Sequence, residues 1–196
     1  MERELMSSAR LEAFSDGVIA IIITIMMLDL RAPLGGGVEA LTELWPVFVS
    51  YILSYLVIAI YWMNHHRTFH VVKVVNNRIL WSNIGLLFCL SFVPFATDYM
   101  GKNSMTSLSV AVYCAVLLVC ALAFDAMRAA ITHHLSEDGR PQAWNRATSH
   151  KSWYAVITYA LSIPVAFLSA PVALLMTASV AGIFFVPEFW MKRLER

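Results

Sequence analysis

The sequence predicts an all-α integral membrane protein with six transmembrane helices and both termini in the cytoplasm. The first indication is composition, since 59% of the 196 residues are hydrophobic and 14% are charged, against about 45–50% and about 25% in soluble domains. A single soluble core of this size cannot bury so much apolar surface, whereas a bilayer can. The second indication is a series of long apolar stretches, and the third is the uneven distribution of Lys and Arg around them.

Six stretches are long enough to cross a membrane, because a hydrocarbon core about 30 Å thick requires roughly 20 mainly apolar residues per helix. They are residues 14–30, 44–64, 79–97, 107–131, 153–169 and 171–191. The connectors at residues 31–43 and 132–151 are too short to form a soluble domain. We therefore predict that residues 1–196 form a single membrane domain.

Each predicted span has local features that support it. The first follows a charged head and no small-x-small cleavage site precedes its end, so we do not expect a cleavable signal peptide. The second, third, fifth and sixth spans carry tryptophans near their ends, at the depth of the membrane interface. The fourth is a long apolar run, and the last two are joined through Ser169, Ala170 and Pro171 as a tight hairpin. Pro94, Pro164 and Gly182 are expected to interrupt the spans that contain them.

Lys and Arg residues set the expected orientation. Twelve of the 14 lie on the side of the predicted spans that holds the N-terminus, and only Arg31 and Lys102 lie on the other. Because positive charge concentrates in cytoplasmic loops, both termini are predicted to be cytoplasmic. The net charge of +1 gives no indication of nucleic-acid binding.

Polar residues within the spans are costly and therefore indicate a structural or functional role. Asp125 lies toward the end of the fourth span, and the others lie within the first three spans or directly beside them. With the predicted orientation all of them fall in the cytoplasmic half, where we expect an inter-helix hydrogen-bond network. The members are Arg10, Ser15, Asp16, Asn64, His65, His66, Asn83 and Asp125.

Enzymatic, metal and cofactor sites are not indicated. No phosphate-binding loop, nucleophile elbow or zinc-protease motif occurs. His65 and His66 are adjacent, so on a helix their side chains point about 100° apart. His70 lies four residues after His66, which is ligand spacing, but no further ligand completes a metal site. Three cysteines, Cys89, Cys114 and Cys120, fall within apolar runs and are predicted to be buried free thiols.

Four motifs resemble those of one known family. Residues 10–17 read R-L-E-A-F-S-D-G and fit the pattern R-x-x-x-F-S-D. Residues 61–66 read Y-W-M-N-H-H, residues 77–83 read N-R-I-L-W-S-N, and residues 91–97 read S-F-V-P-F-A-T. Together they resemble the transmembrane protein 175 family, a family of potassium-permeable channels of endolysosomes and prokaryotes. The second half of the chain matches only in the number of spans.

The resemblance implies a homotetramer in the cell membrane of a prokaryote, with a central pore lined by the first helix of each subunit. It implies passage of K⁺ and other monovalent cations, and the signature residues include Phe14. The constriction of the family lies five residues after the signature Asp, which is Ile21 here, with Thr24, Ile25 and Leu28 on the same face. Positions 21, 24, 25 and 28 have the spacing of one helical stripe. Apolar residues cover every face of this span, however, so periodicity alone does not identify a pore.

The expected function is therefore a potassium-permeable channel with a modest preference for K⁺ over Na⁺, selecting and gating through a hydrophobic ring. Asp16 lies about 140° around the helix from Ile21, so we expect it to face neighbouring helices and to hold the first helix in place. Two alternatives remain at this level. A small secondary transporter would contain paired broken spans, and a non-conducting membrane scaffold would not account for acidic residues within the spans.

Overall fold

The computed structural model describes residues 7–33, 37–72, 74–137 and 143–185, with the backbone alone described for Glu137, residues 143–149 and Phe185. Within these ranges the chain folds into eight α-helices. They are α1 (Ser8–Leu28), α2 (Val38–Thr42), α3 (Trp45–Phe69), α4 (Asn77–Leu90), α5 (Val93–Lys102), α6 (Ser107–Glu137), α7 (Ala143–Leu168) and α8 (Ala170–Phe185).

Five helical stretches are long and apolar enough to cross a membrane, which confirms the prediction of a multi-span helical membrane protein. They are Ser8–Leu28, Trp45–Phe69, Asn77–Lys102, Ser107–Ser136 and His150–Leu168. A shorter apolar helix covers Ala170–Phe184, in the region of the predicted sixth span. The last part of that prediction, residues 186–191, lies outside the described residues.

The third span consists of two helices and extends further than residues 79–97. Helix α4 ends at Leu90, and α5 begins at Val93 and continues to Lys102. Pro94 lies in the first turn of α5, where its missing N–H group would have no intrahelical partner. By contrast, Pro164 lies inside α7 and Gly182 lies inside α8, so the expected interruptions at these two residues are wrong.

The connectors contain more helix than the sequence indicated. Helix α2 lies within the predicted loop 31–43, and α6 and α7 extend into the predicted polar connector 132–151. A helix satisfies its backbone hydrogen bonds internally, so it continues past the apolar segment when the sequence contains no strong breaker. Ser169 separates α7 from α8, and its N–H group donates to the carbonyl of Val165 at 2.7 Å.

Helix packing places α1 against one side of a larger bundle. Helix α1 contacts α3, α4 and α5, whereas α6 packs against α4, α5, α7 and α8. Fully buried apolar side chains such as Leu86, Leu90 and Leu117 fill the core between them. The three cysteines are free thiols, with Cys114 and Cys120 buried and Cys89 half-buried. Among the described residues, helix α1 is therefore packed on one side only.

Candidate pore helix and its anchors

Helix α1 has a buried face and an exposed face. The buried face consists of residues at helical spacing, namely Leu11, Ser15, Ile19, Ile22 and Met26. The residues predicted to line a pore lie on the opposite side and are all exposed: Ile21, Thr24, Ile25 and Leu28. The exposed fraction is 58% for Ile21 and 76% for Leu28. The helices in the described part of the chain thus leave this stripe uncovered.

A buried hydrogen-bond chain attaches α1 to α3 and α4. The side-chain amide of Asn83 on α4 donates to Ser15 Oγ at 2.9 Å. Ser15 donates in turn to the carbonyl of Leu11 at 2.8 Å. The Oδ1 atom of Asn83 lies 2.8 Å from His65 Nε2 on α3. All three side chains are completely buried. With the amide in this orientation, Oδ1 accepts, so His65 carries its proton on Nε2.

A second set of contacts joins α1 to α3 nearer the surface. Trp62 Nε1 donates to Asp16 Oδ1 at 2.9 Å, and His66 Nδ1 lies 2.5 Å from Glu12 Oε1. The rings of Trp62 and His66 stack with centroids 6.1 Å apart. Two residues four apart on α1 thus face two residues four apart on α3, and residues at this spacing share one helix face. Asp16 therefore faces α3.

The predicted network is divided among several groups in the structure. Asn64 donates to the carbonyl of Ile60 within its own helix. Asp125 belongs to a separate cluster, in which it accepts from Arg128 at 2.9 Å and from Ser152. Arg10 and Phe14 are exposed. They precede Ile21 by eleven and seven residues, which places both within about 20° of it around the helix. They therefore extend the exposed stripe and lie outside the buried chain.

Two of these contacts involve residues that the sequence reasoning overlooked, Glu12 and Trp62. A signal for them existed, because Glu12 and Asp16 on one predicted helix and Trp62 and His66 on another share the i, i+4 spacing. In the sequence, Trp62 reads as a marker of the membrane interface. Glu12 belongs to the charged head that precedes the first span.

A row of hydroxyl groups was also missed, in the half of the bundle away from the N-terminus. Thr97 Oγ1 donates to Ser54 Oγ at 2.7 Å, and Ser54 Oγ donates to the hydroxyl of Tyr113 at 3.0 Å. The sulfur of Met26 lies 3.8 Å from Thr97 Oγ1. The row joins α3, α5 and α6, with α1 at its edge. Ser, Thr and Tyr are common in apolar spans, and no sequence signal distinguished these three.

Across the described part of the chain, no three His, Cys, Asp or Glu side chains lie close enough together to hold a metal ion.

Comparison with known proteins identifies the family. The family model described as "Endosomal/lysosomal potassium channel TMEM175" matches residues 10–94. That range contains the exposed stripe of α1 and every member of the Ser15–Asn83–His65 chain.

Bacterial relatives match over nearly the whole chain. A potassium channel of Chryseobacterium sp. (strain P1-3) is 38% identical over 97% of both chains. A potassium channel of Streptomyces collinus (strain DSM 40733 / Tue 365) is 36% identical over 85% of this chain and 86% of that protein.

A solved structure shares the fold. It is the crystal structure of a lysosomal potassium-selective channel TMEM175 homolog from Chamaesiphon minutus, with a TM-score of 0.80 and 27% identity. The match covers 90% of this chain and 95% of that one. These findings confirm the resemblance inferred from the motifs and identify an ion-channel family, not an enzyme. The chain belongs to the TMEM175 family of potassium channels.

Proposed function

We propose that the chain forms a homotetrameric cation channel with a modest preference for K⁺ over Na⁺, in which four α1 helices line the pore and Ile21 forms its constriction. The observation that carries the proposal is the division of α1 into two faces. One face is packed on α3, α4 and α5, and the other leaves Ile21 58% exposed. A central assembly of four copies would place this exposed stripe around an axis.

The polar contacts at the edge of α1 favour a surface that is covered by protein or water over one that faces lipid hydrocarbon. The side chain of His66 is 57% exposed and that of Glu12 is 22% exposed, although they pair with each other. Trp62, which donates to Asp16, is 43% exposed. Charged and polar groups near a bilayer core cost free energy unless protein or water covers them. Neighbouring subunits and pore water would supply that cover.

Selection in such a pore depends on hydration. A ring of four isoleucine side chains is a hydrophobic constriction, and narrow apolar rings of this kind exclude water. A permeating ion must shed part of its hydration shell there, and K⁺ holds water less tightly than Na⁺. Thr24 donates to the carbonyl of Ile21 at 2.9 Å, which leaves the lone pairs of its hydroxyl oxygen free to contact an ion. The resulting preference for K⁺ should be modest.

Gating would follow from unequal attachment along α1. The half that contains Glu12, Ser15 and Asp16 is tied to α3 and α4 by hydrogen bonds. In the half of α1 that follows Ile21, the polar contact to another helix in the described part of the chain is a weak one, between the sulfur of Met26 and Thr97 Oγ1. The Ile21 half is held mainly by apolar packing of Ile22 and Met26, so we expect it to shift more readily than the hydrogen-bonded half. An iris-like movement of four helices would then open or close the ring.

The proposed location follows from the charge distribution. We place the protein in the cell membrane of a prokaryote as a single domain of residues 1–196 with both termini in the cytoplasm. The support is the asymmetry of Lys and Arg, twelve against two, and the bacterial sources of the full-length relatives.

Substitution of Ile21 by Asn tests the proposed constriction. An amide ring should hold water and lower the cost of dehydrating Na⁺, so sodium flux should rise several-fold relative to potassium flux. The measurement is cation flux from liposomes that contain purified protein. Met27→Asn is the matched control, because Met27 is 55% exposed on the same helix but about 120° away from Ile21.

Two results would contradict the proposal. Unchanged ion preference in Ile21→Asn would show that Ile21 is not the constriction. Uptake that saturates and depends on a proton gradient would indicate a transporter.

A further inference from the structure

An apolar groove lies on the part of the bundle farthest from the N-terminus, apart from the pore helix. Its volume is about 570 Å³, within the usual range for ligand pockets of about 300–1,000 Å³. One wall is the start of α3 from Trp45 to Leu56, and the other is the start of α8 from Pro171 to Ala178. The turn between α5 and α6 closes one end, with Ser104 and Met105.

The groove does not face the same direction as the polar contacts of α1. Leu56 lines the groove, and Trp62 contacts Asp16 on α1. These two residues of α3 are six apart and therefore about 120° apart around the helix. If α1 faces a central axis, the groove opens toward the lipid. Hydrocarbon would then be the solvent at this surface.

The length of the groove corresponds to one leaflet. Trp45 and Leu56 are eleven residues apart, which is about 16 Å along the helix, and half of a hydrocarbon core is about 15 Å. Trp45 is 57% exposed at the outer end, the position that tryptophan prefers at the interface between headgroups and hydrocarbon. The groove thus begins at the depth of lipid headgroups and ends near the middle of the bilayer.

The closing turn is strained and closely packed. Ser104 and Met105 have φ angles of 48° and 55°, in the left-handed region that non-glycine residues adopt at a free-energy cost. Backbone strain of this kind persists at sites where it serves a function. Gly101 fits so closely against α3 that an added Cβ would lie 3.0 Å from Val47 Cα. Met100 and Met105 line the groove, and methionine adapts to ligands of irregular shape.

We propose that this groove binds one acyl chain of a membrane phospholipid from the leaflet opposite the termini. The apolar walls would take the chain, and Trp45 and Ser104 would lie beside the glycerol and headgroup region. The direction in which the groove opens rests on the proposed position of α1 at a central axis, but neither α1 nor the Ser15–Asn83–His65 chain lines the groove itself.

Photolabelling with a phospholipid that carries a diazirine near the middle of one acyl chain tests the proposal. Wild-type protein in liposomes is irradiated and the labelled residues are mapped by mass spectrometry. We expect labelling of residues 49–56 and 174–178 to exceed, several-fold, that of Leu161 and Phe167, which are exposed on α7. These two residues report contact with bulk lipid.

Filling the groove should abolish this excess. Ala178→Phe places a ring in the groove, and labelling there should fall several-fold while that of Leu161 stays constant. Leu175→Trp acts in the same way at a residue that is 70% exposed, so it does not disturb the core. Val172→Phe is the control, because Val172 is exposed on the same helix and does not line the groove.

Two outcomes would overturn the proposal. One is labelling of the groove no stronger than that of Leu161 and unaffected by both filling variants. The other is a cross-link between groove residues of two chains in place of lipid adducts, which would show that a second copy occupies the groove.

Discussion

Asn83 is the residue on which the position of α1 depends most directly. Its side-chain amide donates to Ser15 on α1, and its side-chain oxygen accepts from His65 on α3. Ser15 also donates to the carbonyl of Leu11, and none of the three side chains is exposed. A buried polar group that loses its partner costs about 1–3 kcal/mol. Because Asn83 bonds to both α1 and α3, a substitution there affects two helices at once.

Asn83→Leu should therefore lower the free energy of unfolding by about 1–3 kcal/mol, because it leaves Ser15 and His65 without their shared partner. The measurement is thermal unfolding in detergent followed by tryptophan fluorescence. Asn64→Leu is the matched control, since Asn64 bonds only to a carbonyl of its own helix and should cost less. Equal losses of stability in the two variants would show that the Ser15–Asn83–His65 hydrogen-bond chain does not anchor α1.

The division of the third span into α4 and α5 is the main difference at the level of helices. The sequence identified Pro94, but a proline alone does not determine whether a helix ends, as Pro164 inside α7 shows. The two prolines differ in their position within the helix, since Pro94 lies in the first turn of α5 and Pro164 lies in the interior of α7. Beyond this break, α5 continues to Lys102 and packs closely against the start of α3 at Gly101.

Gly101→Ala tests this close approach. The added Cβ would lie 3.0 Å from a backbone atom of Val47, so α5 must move away from α3, and we expect a loss of about 1–3 kcal/mol in stability. Gly85→Ala is the control, because Gly85 lies inside α4 with nothing within 4 Å of the added Cβ. It should be neutral or stabilising by up to about 1 kcal/mol. Similar unfolding temperatures for both variants would contradict the proposed packing.

Across the whole molecule, polarity predicted that buried polar side chains of different spans pair with one another, but it did not predict each side chain's partner. The motifs of the first three spans predicted Ser15, His65 and Asn83 as one group, because buried polar residues in a membrane require partners. The rotation of each helix was not predictable from composition. Arg10 was expected in the network and lies on the exposed stripe, and the Ser54–Thr97–Tyr113 row had no signal at all. Contacts of this kind depend on how neighbouring helices pack.

The orientation of the bundle remains a prediction, and cysteine labelling of intact cells tests it. Arg67 and Lys102 are both exposed and lie at opposite ends of the bundle. Because positive charge is retained in the cytoplasm, a membrane-impermeant maleimide should label Lys102→Cys in intact cells and Arg67→Cys only after permeabilisation. The wild-type protein is the control, since Cys114 and Cys120 are buried and Cys89 is half-buried within a span. The reverse labelling pattern would place the termini outside the cell. The hydrogen-bonded half of α1 would then lie on the extracellular side of the membrane.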